Sequence, residues 1–129
     1  MAVSWYRSRT RRHAGLAVAM WVLASPGVLA DSSPLEARIK AIFAEVEASG
    51  CTFVRNGKAH DSEDAARHMR RKYEHFADDI DSVDRFIELA GTRSLMSGKA
   101  YTVRCPGEPE RPTAEWLHDA SDRVGDGAS

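Results

Sequence analysis

The sequence predicts a helix-dominated α+β domain of about four short helices and a small two- to three-stranded antiparallel sheet. Three observations point there. Apolar residues recur at three- and four-residue spacings in several stretches, each opened by a capping residue. Two short runs rich in β-branched and aromatic residues, 51–55 and 100–105, break into that pattern, and Asn56-Gly57 follows the first. The only two cysteines, Cys51 and Cys105, sit at the outer ends of those runs.

Residues 1–30 read as a cleavable signal peptide. Arg7, Arg9, Arg11 and Arg12 stand without an acidic residue among them, the apolar run 14–24 follows, and Ser25-Pro26-Gly27 breaks it. Val28-Leu29-Ala30 then offers modest side chains to a peptidase, and cleavage is expected after Ala30. Eleven apolar residues fall short of the roughly 20 that a membrane span needs, and Pro26 and Gly27 speak against an uncleaved anchor. Thr10-Arg11-Arg12 only faintly resembles a twin-arginine signal, so general secretion to the periplasm is the expectation.

Removing that segment changes the charge. It holds four of the 18 Lys+Arg and none of the 19 Asp+Glu, so the remainder carries 14 against 19, a net charge of −5. An acidic domain argues against nonspecific nucleic-acid binding and against anionic membrane surfaces. The remaining 99 residues can bury a little over about 60 % of their unfolded surface, enough for one modest core.

The first helix opens at Ser33-Pro34-Leu35-Glu36, an N-cap serine with Pro in the first turn and Glu three residues on. Leu35, Ile39, Ile42, Phe43 and Val46 form its stripe and Gly50 stops it. Residues 51–55 form a strand, Asn56-Gly57 suits a type I′ turn, and Lys58-Ala59-His60 can return. Asp61 caps a second helix with the stripe Ala66, Met69, Tyr73, Phe76, Ala77 and Ile80. Ser82 caps a third, burying Val83, Phe86, Ile87 and Ala90 and ending at Gly91. Residues 92–99 are a polar loop and 100–105 a strand, closed by Pro106-Gly107. Pro109 and Pro112 flank another loop, and Thr113 caps a short last helix carrying Trp116 and Leu117. The domain is expected to end near residue 118, with 119–129 a fraying tail.

In an oxidising compartment two cysteines invite a disulfide, which here would close a loop of about 55 residues. Alternation allows a register with Cys51 opposite Cys105, Phe53 opposite Val103 and Arg55 opposite Tyr101, the last a cation–π contact. A redox pair would normally need Cys-x-x-Cys, and a zinc site would need close His partners. Neither pattern is present.

Candidates for chemistry are weak. His68 and His75 align on the second helix with Asp64 one turn before His68, but both lie far from the apolar stripe. A solvated flank with an Asp64–His68 pair is the simpler reading. Ser94, Ser97 and Lys99 suggest a Ser–Lys nucleophile or a phosphate loop, but the loop lacks its upstream Gly and the Ser/Thr after Lys. Asp78, Asp79, Asp81 and Asp84 mark one helix end and the next helix start, without the glycine and closing Glu of a calcium loop.

Several runs together resemble one family. They are Phe53-Val54-Arg55-Asn56-Gly57, then Ala65-Ala66-Arg67-His68-Met69-Arg70-Arg71-Lys72-Tyr73, Phe86-Ile87, Ser94-Leu95-Met96-Ser97-Gly98-Lys99-Ala100-Tyr101, and Glu115-Trp116-Leu117. From about residue 35 to 117 the chain resembles the YfeK-like group of small exported bacterial proteins, which has no assigned function. Met69 stands where that family commonly has Leu, and Ala100 where it has Pro. The resemblance implies a periplasmic, mostly helical single domain and brings no catalytic residue, metal or cofactor. It singles out Arg55, Asn56, Gly57, His68, Lys72, Ser97, Gly98 and Tyr101. Two readings of these positions stand side by side. One is a buried polar network tying hairpin, second helix and serine-rich loop together, and the other is a surface recognising an anionic or peptide ligand.

The functional expectation is a non-catalytic binding module, of the inhibitor or immunity-like kind, for an envelope protein or peptide-like ligand. It would show an exposed apolar or aromatic patch, with Trp116 a candidate. The alternative is a small hydrolase or metal-dependent envelope enzyme built on His68, Lys72 and the loop 94–99, which requires those side chains to converge in a pocket.

Overall fold

The computed structural model describes residues 33–127 and the isolated Gly15. The signal segment expected over residues 1–30 lies outside the described stretch. The elements run α1 (Pro34–Ala48), β1 (Thr52–Arg55), β2 (Lys58–His60), α2 (Ser62–His75), α3 (Val83–Phe86), β3 (Thr102–Arg104), β4 (Arg111–Pro112) and α4 (Thr113–Asp126). A 3₁₀ turn, Ala77–Asp79, follows α2, and α3 runs on into a π-helical turn, Ile87–Gly91.

The local signals act as their chemistry dictates. Ser33 and Glu36 close a capping box on α1, and Asp61 and Ser82 accept the Asp64 and Arg85 backbone N–H groups. Asn56 and Gly57 take φ of 50° and 77°, the pair of positive values that a type I′ turn requires. The hairpin therefore closes with Arg55 opposite Lys58.

The sheet is antiparallel, order β2-β1-β3-β4. Its central register is the expected one, Phe53 opposite Val103, and Cys51 and Cys105 are disulfide-bonded with their Cα atoms 4.3 Å apart. The fourth strand lies where a loop was expected. Thr102 pairs with Pro112 and Val103 with Arg111, which Pro112 can do because it sits on the sheet edge.

Helices α2 and α4 cover the inner sheet face and α1 packs on both. Phe53 meets Trp116 edge-on at 5.7 Å, while Phe43, Tyr73 and Phe86 make a second aromatic cluster. Ile39, Ile42, Val46, Ile87 and Leu117 fill the space between. Among the described residues no helix is long and apolar enough to cross a membrane.

Four expectations are corrected. The apolar stripe of α2 does not continue through Ala77, which is exposed; the helix ends at His75, and the 3₁₀ turn brings Ile80 into the core instead. Thr113 does not cap α4. Its backbone N–H bonds Tyr101 O inside the β3–β4 corner, Pro112 takes the cap position, and the Thr113 hydroxyl is buried without a partner. Residues 119–126 continue α4 rather than fray, because Ala120 and Ser121 are buried, Arg38 bonds Ser121, and Arg123 meets Glu45 and the Trp116 ring. Trp116 forms no exposed patch, since its indole packs against Phe53; among the described residues the large apolar side chains that do face solvent are Leu95 and Met96.

Candidate functional site

Strand alternation carries one side-chain row from core to cleft. Cys51, Phe53 and Arg55 lie on the inner face along β1, and Cys105, Val103 and Tyr101 along β3. The aromatic and aliphatic cover ends after Phe53 and Val103, so Arg55 and Tyr101 are the first residues beyond it. Helix α2 supplies the opposite wall with His68 and Lys72, one turn apart, and residues 94–96 supply the third. Lys58 and His60 close the rim from β2. The result is an open cleft of about 440 Å³ with a mostly carbon lining that includes the cations Arg55, Lys58 and Lys72.

Lys72 is only 9 % exposed. Its Nζ donates to Arg93 O at 2.9 Å and to the Tyr101 hydroxyl at 3.5 Å, and lies over the Tyr101 ring at 5.1 Å. Burial, aided by the nearby Arg55 charge, pulls its pKa below the ordinary lysine value. Arg55 is held differently, with Nη2 donating to Asp64 Oδ2 at 3.1 Å. Burial lowers the Arg55 pKa and Asp64 opposes the shift. The Asp64 carboxylate also meets His60 Nδ1 and, at 3.3 Å, Arg67. Burial works to raise the Asp64 pKa, but its bond to His60 and the Arg55 charge outweigh it and hold the carboxyl below its ordinary value.

His68 does not sit on a solvated flank paired with Asp64. It is half-buried, with Nε2 3.3 Å from the Tyr101 hydroxyl and the two rings edge to face at 5.9 Å. Burial, reinforced by the Arg55, Lys72 and Arg71 charges, pushes its pKa down to about 4, so the ring is neutral at pH 7. The expected contact of Arg55 with the Tyr101 ring is replaced by that of Lys72, because Asp64 claims the guanidinium. Burial likewise raises the Tyr101 pKa. His75, by contrast, is exposed, as the solvated-flank reading had it.

The serine-rich loop is braced from inside. Ser94 is buried, and its Oγ accepts from Asn56 Nδ2 at 3.3 Å and from the Met96 and Ser97 backbone N–H groups. Ser97 Oγ donates to Asn56 Oδ1, and Gly98, at φ 70°, donates its N–H to Ser94 O. Arg55, Asn56, His68, Lys72 and Tyr101 thus converge on the cleft, while Ser97 and Gly98 hold the loop to the hairpin without lining it. Residues of the polar network therefore also line the cleft. Ser94 Oγ receives three N–H donors and makes no bond to His68 or Lys72. Among the described residues no group of three or more His, Cys, Asp or Glu could hold a metal ion.

Sequence reasoning passed over Lys58, His60, Leu95 and Met96 as cleft residues. Three of these carried a signal. A two-residue turn places Lys58 opposite Arg55, and two large apolar residues together in a polar loop have no core position to fill.

Comparison with known proteins returns a family without assigned function. The model described as "Family of unknown function (DUF5329)" matches residues 33–124. The uncharacterized protein YfeK of Salmonella typhimurium is 40 % identical over 67 residues, which are 51 % of this chain and 56 % of that protein. The chain therefore spans about half the length of the curated relative it matches. No solved structure gives a significant match. With nearly every described residue inside the matched span, the chain belongs to the YfeK-like family of unknown function, DUF5329.

Proposed function

We propose that the chain is exported to the periplasm and serves there as a non-catalytic binding module whose cleft takes an anionic group of an envelope protein or peptide-like partner. The basic, apolar and small-residue order of residues 1–30 and the Cys51–Cys105 disulfide support export. The observation that carries the binding reading is Lys72. The residue is only 9 % exposed, and its ammonium group is held by a carbonyl and a phenol and has no carboxylate partner among the described residues. A buried charge without a counterion is costly, and an anion entering from the open side relieves that cost. Binding is favoured over hydrolysis because Ser94 is engaged by backbone and amide donors, while His68 faces a phenol rather than a hydroxyl nucleophile.

The test is a titration of the isotope-labelled, oxidised protein with acetate, followed by backbone amide NMR. Saturable shifts confined to residues 55–60, 68–72 and 93–101 are expected. Lys72→Met, checked for folding by near-UV circular dichroism, should weaken them about 10- to 100-fold, the worth of one charge-assisted hydrogen bond of about 1.5–3 kcal/mol. Shifts scattered over all surface Lys and Arg, or none, would remove the proposal.

A further inference from the structure

Resting on that anion site, we infer that the group it takes is a free C-terminal carboxylate whose last side chain is apolar. Three features of the cleft single out this chemistry. The first is charge count. Arg55 is paired with Asp64, whose carboxylate also meets Arg67 and His60, and His68 is neutral at pH 7, so Lys72 is the buried cation of the cleft lining without a carboxylate partner. A carboxylate supplies the unit of charge that this ammonium lacks.

The second feature is the disposition of N–H donors. Phosphate sites in loops are built from backbone amides turned towards the ligand. Here the Met96 and Ser97 amides turn inward onto Ser94 Oγ, and the Gly98 amide onto Ser94 O. What remains free are the third N–H of the Lys72 ammonium, since the other two serve Arg93 O and the Tyr101 hydroxyl, and the Arg55 Nε–H, which is buried without a partner. Two such donors suit the two oxygens of one carboxylate.

The third feature is the rim. Leu95 is 64 % and Met96 98 % exposed, the large apolar side chains that face solvent among the described residues. They do not hang on a slack loop, because the Ser94 and Asn56 bonds pin both ends of their turn to the hairpin. A fixed apolar pair directly beside a buried ammonium group is complementary to a side chain adjoining an anion. That juxtaposition occurs at the last residue of a peptide. A volume of about 440 Å³ accommodates a chain end rather than a folded element.

Calorimetric and NMR titrations of the oxidised protein with four probes test this. The probes are an N-acetylated tetrapeptide ending in leucine with a free carboxylate, the same peptide as its C-terminal amide, a free-acid peptide ending in serine, and inorganic phosphate. Vesicles of phosphatidylglycerol serve as a fifth arm. The leucine acid should bind at least 10-fold tighter than its amide and than the serine acid, and Leu95→Ser/Met96→Ser should erase the difference between leucine and serine ends. Equal binding of acid and amide, or phosphate or vesicles displacing the leucine acid, would overturn the inference without involving any variant. If acetate moves the cleft resonances but a leucine end adds nothing, the inference falls and the anion site stands. If no carboxylate moves them, both fall.

Discussion

His68 and Lys72 stand one turn apart on α2 and share a desolvated wall. Burial lowers both pKa values, that of Lys72 from 10.5 and that of His68 from 6.5 to about 4. The consequence for stability has a definite sign. Between pH 6.5 and 4 the unfolded chain takes up a proton at this imidazole that the folded chain refuses, so stability is full above pH 6.5 and declines towards pH 4. Urea midpoints at pH 7, 5.5 and 4 should register a loss on the order of 1–2 kcal/mol after solvent screening, and His68→Gln should flatten that slope. The lowered pKa of Asp64 acts in a separate window, with stability lost only below its ordinary value of 3.8. A slope unchanged in His68→Gln would place the proton uptake elsewhere.

At the scale of elements, the π-helical turn after α3 is where a simple reading of glycine goes astray. Gly91 reads as a helix stop, but its main service is steric: a Cβ there would lie 2.2 Å from Leu117 Cδ1, and Leu117 is fully buried on α4. Gly91→Ala should therefore cost about 1–3 kcal/mol in chemical denaturation, and clearly less in a Leu117→Ala background where the obstructing methyl is gone. Equal costs in both backgrounds would show that backbone conformation, not packing, selects glycine. The elements that were legible from sequence are those governed by local chemistry: the Ser33, Asp61 and Ser82 caps, the Asn56-Gly57 turn, and the strand register set by alternation. Those that were not legible depend on distant contacts. Strand β4 exists because β3 offers an edge, and residues 119–126 are helical because Arg38, Glu45 and Trp116 receive them. The cleft was half legible. Resemblance marked Arg55, His68, Lys72 and Tyr101, while the partner choices of Asp64 and Lys72 arise only when hairpin, helix and loop meet.

For the whole molecule, the disulfide and the cleft lie at opposite ends of the same strand pair. Cys51–Cys105 locks one end of β1 and β3, and Arg55 and Tyr101 open at the other. With the two cysteines 54 residues apart in sequence, the loop-entropy model assigns the crosslink about 4 kcal/mol. Cys51→Ala/Cys105→Ala should lose that order of stability by guanidinium denaturation. Where it still folds, it should bind acetate with weakened affinity, because the register that aims Arg55 and Tyr101 is no longer pinned. A loss well below 1 kcal/mol would mean that packing alone holds the register. The central claim, that Lys72 is a cation awaiting an anion, has a direct measurement: the Lys72 pKa, followed by side-chain NMR without and with saturating acetate. Lowered in the free protein, it should rise towards the ordinary 10.5 as acetate binds, since an anion favours the charged form. A Lys72 pKa that does not move with acetate would contradict the account.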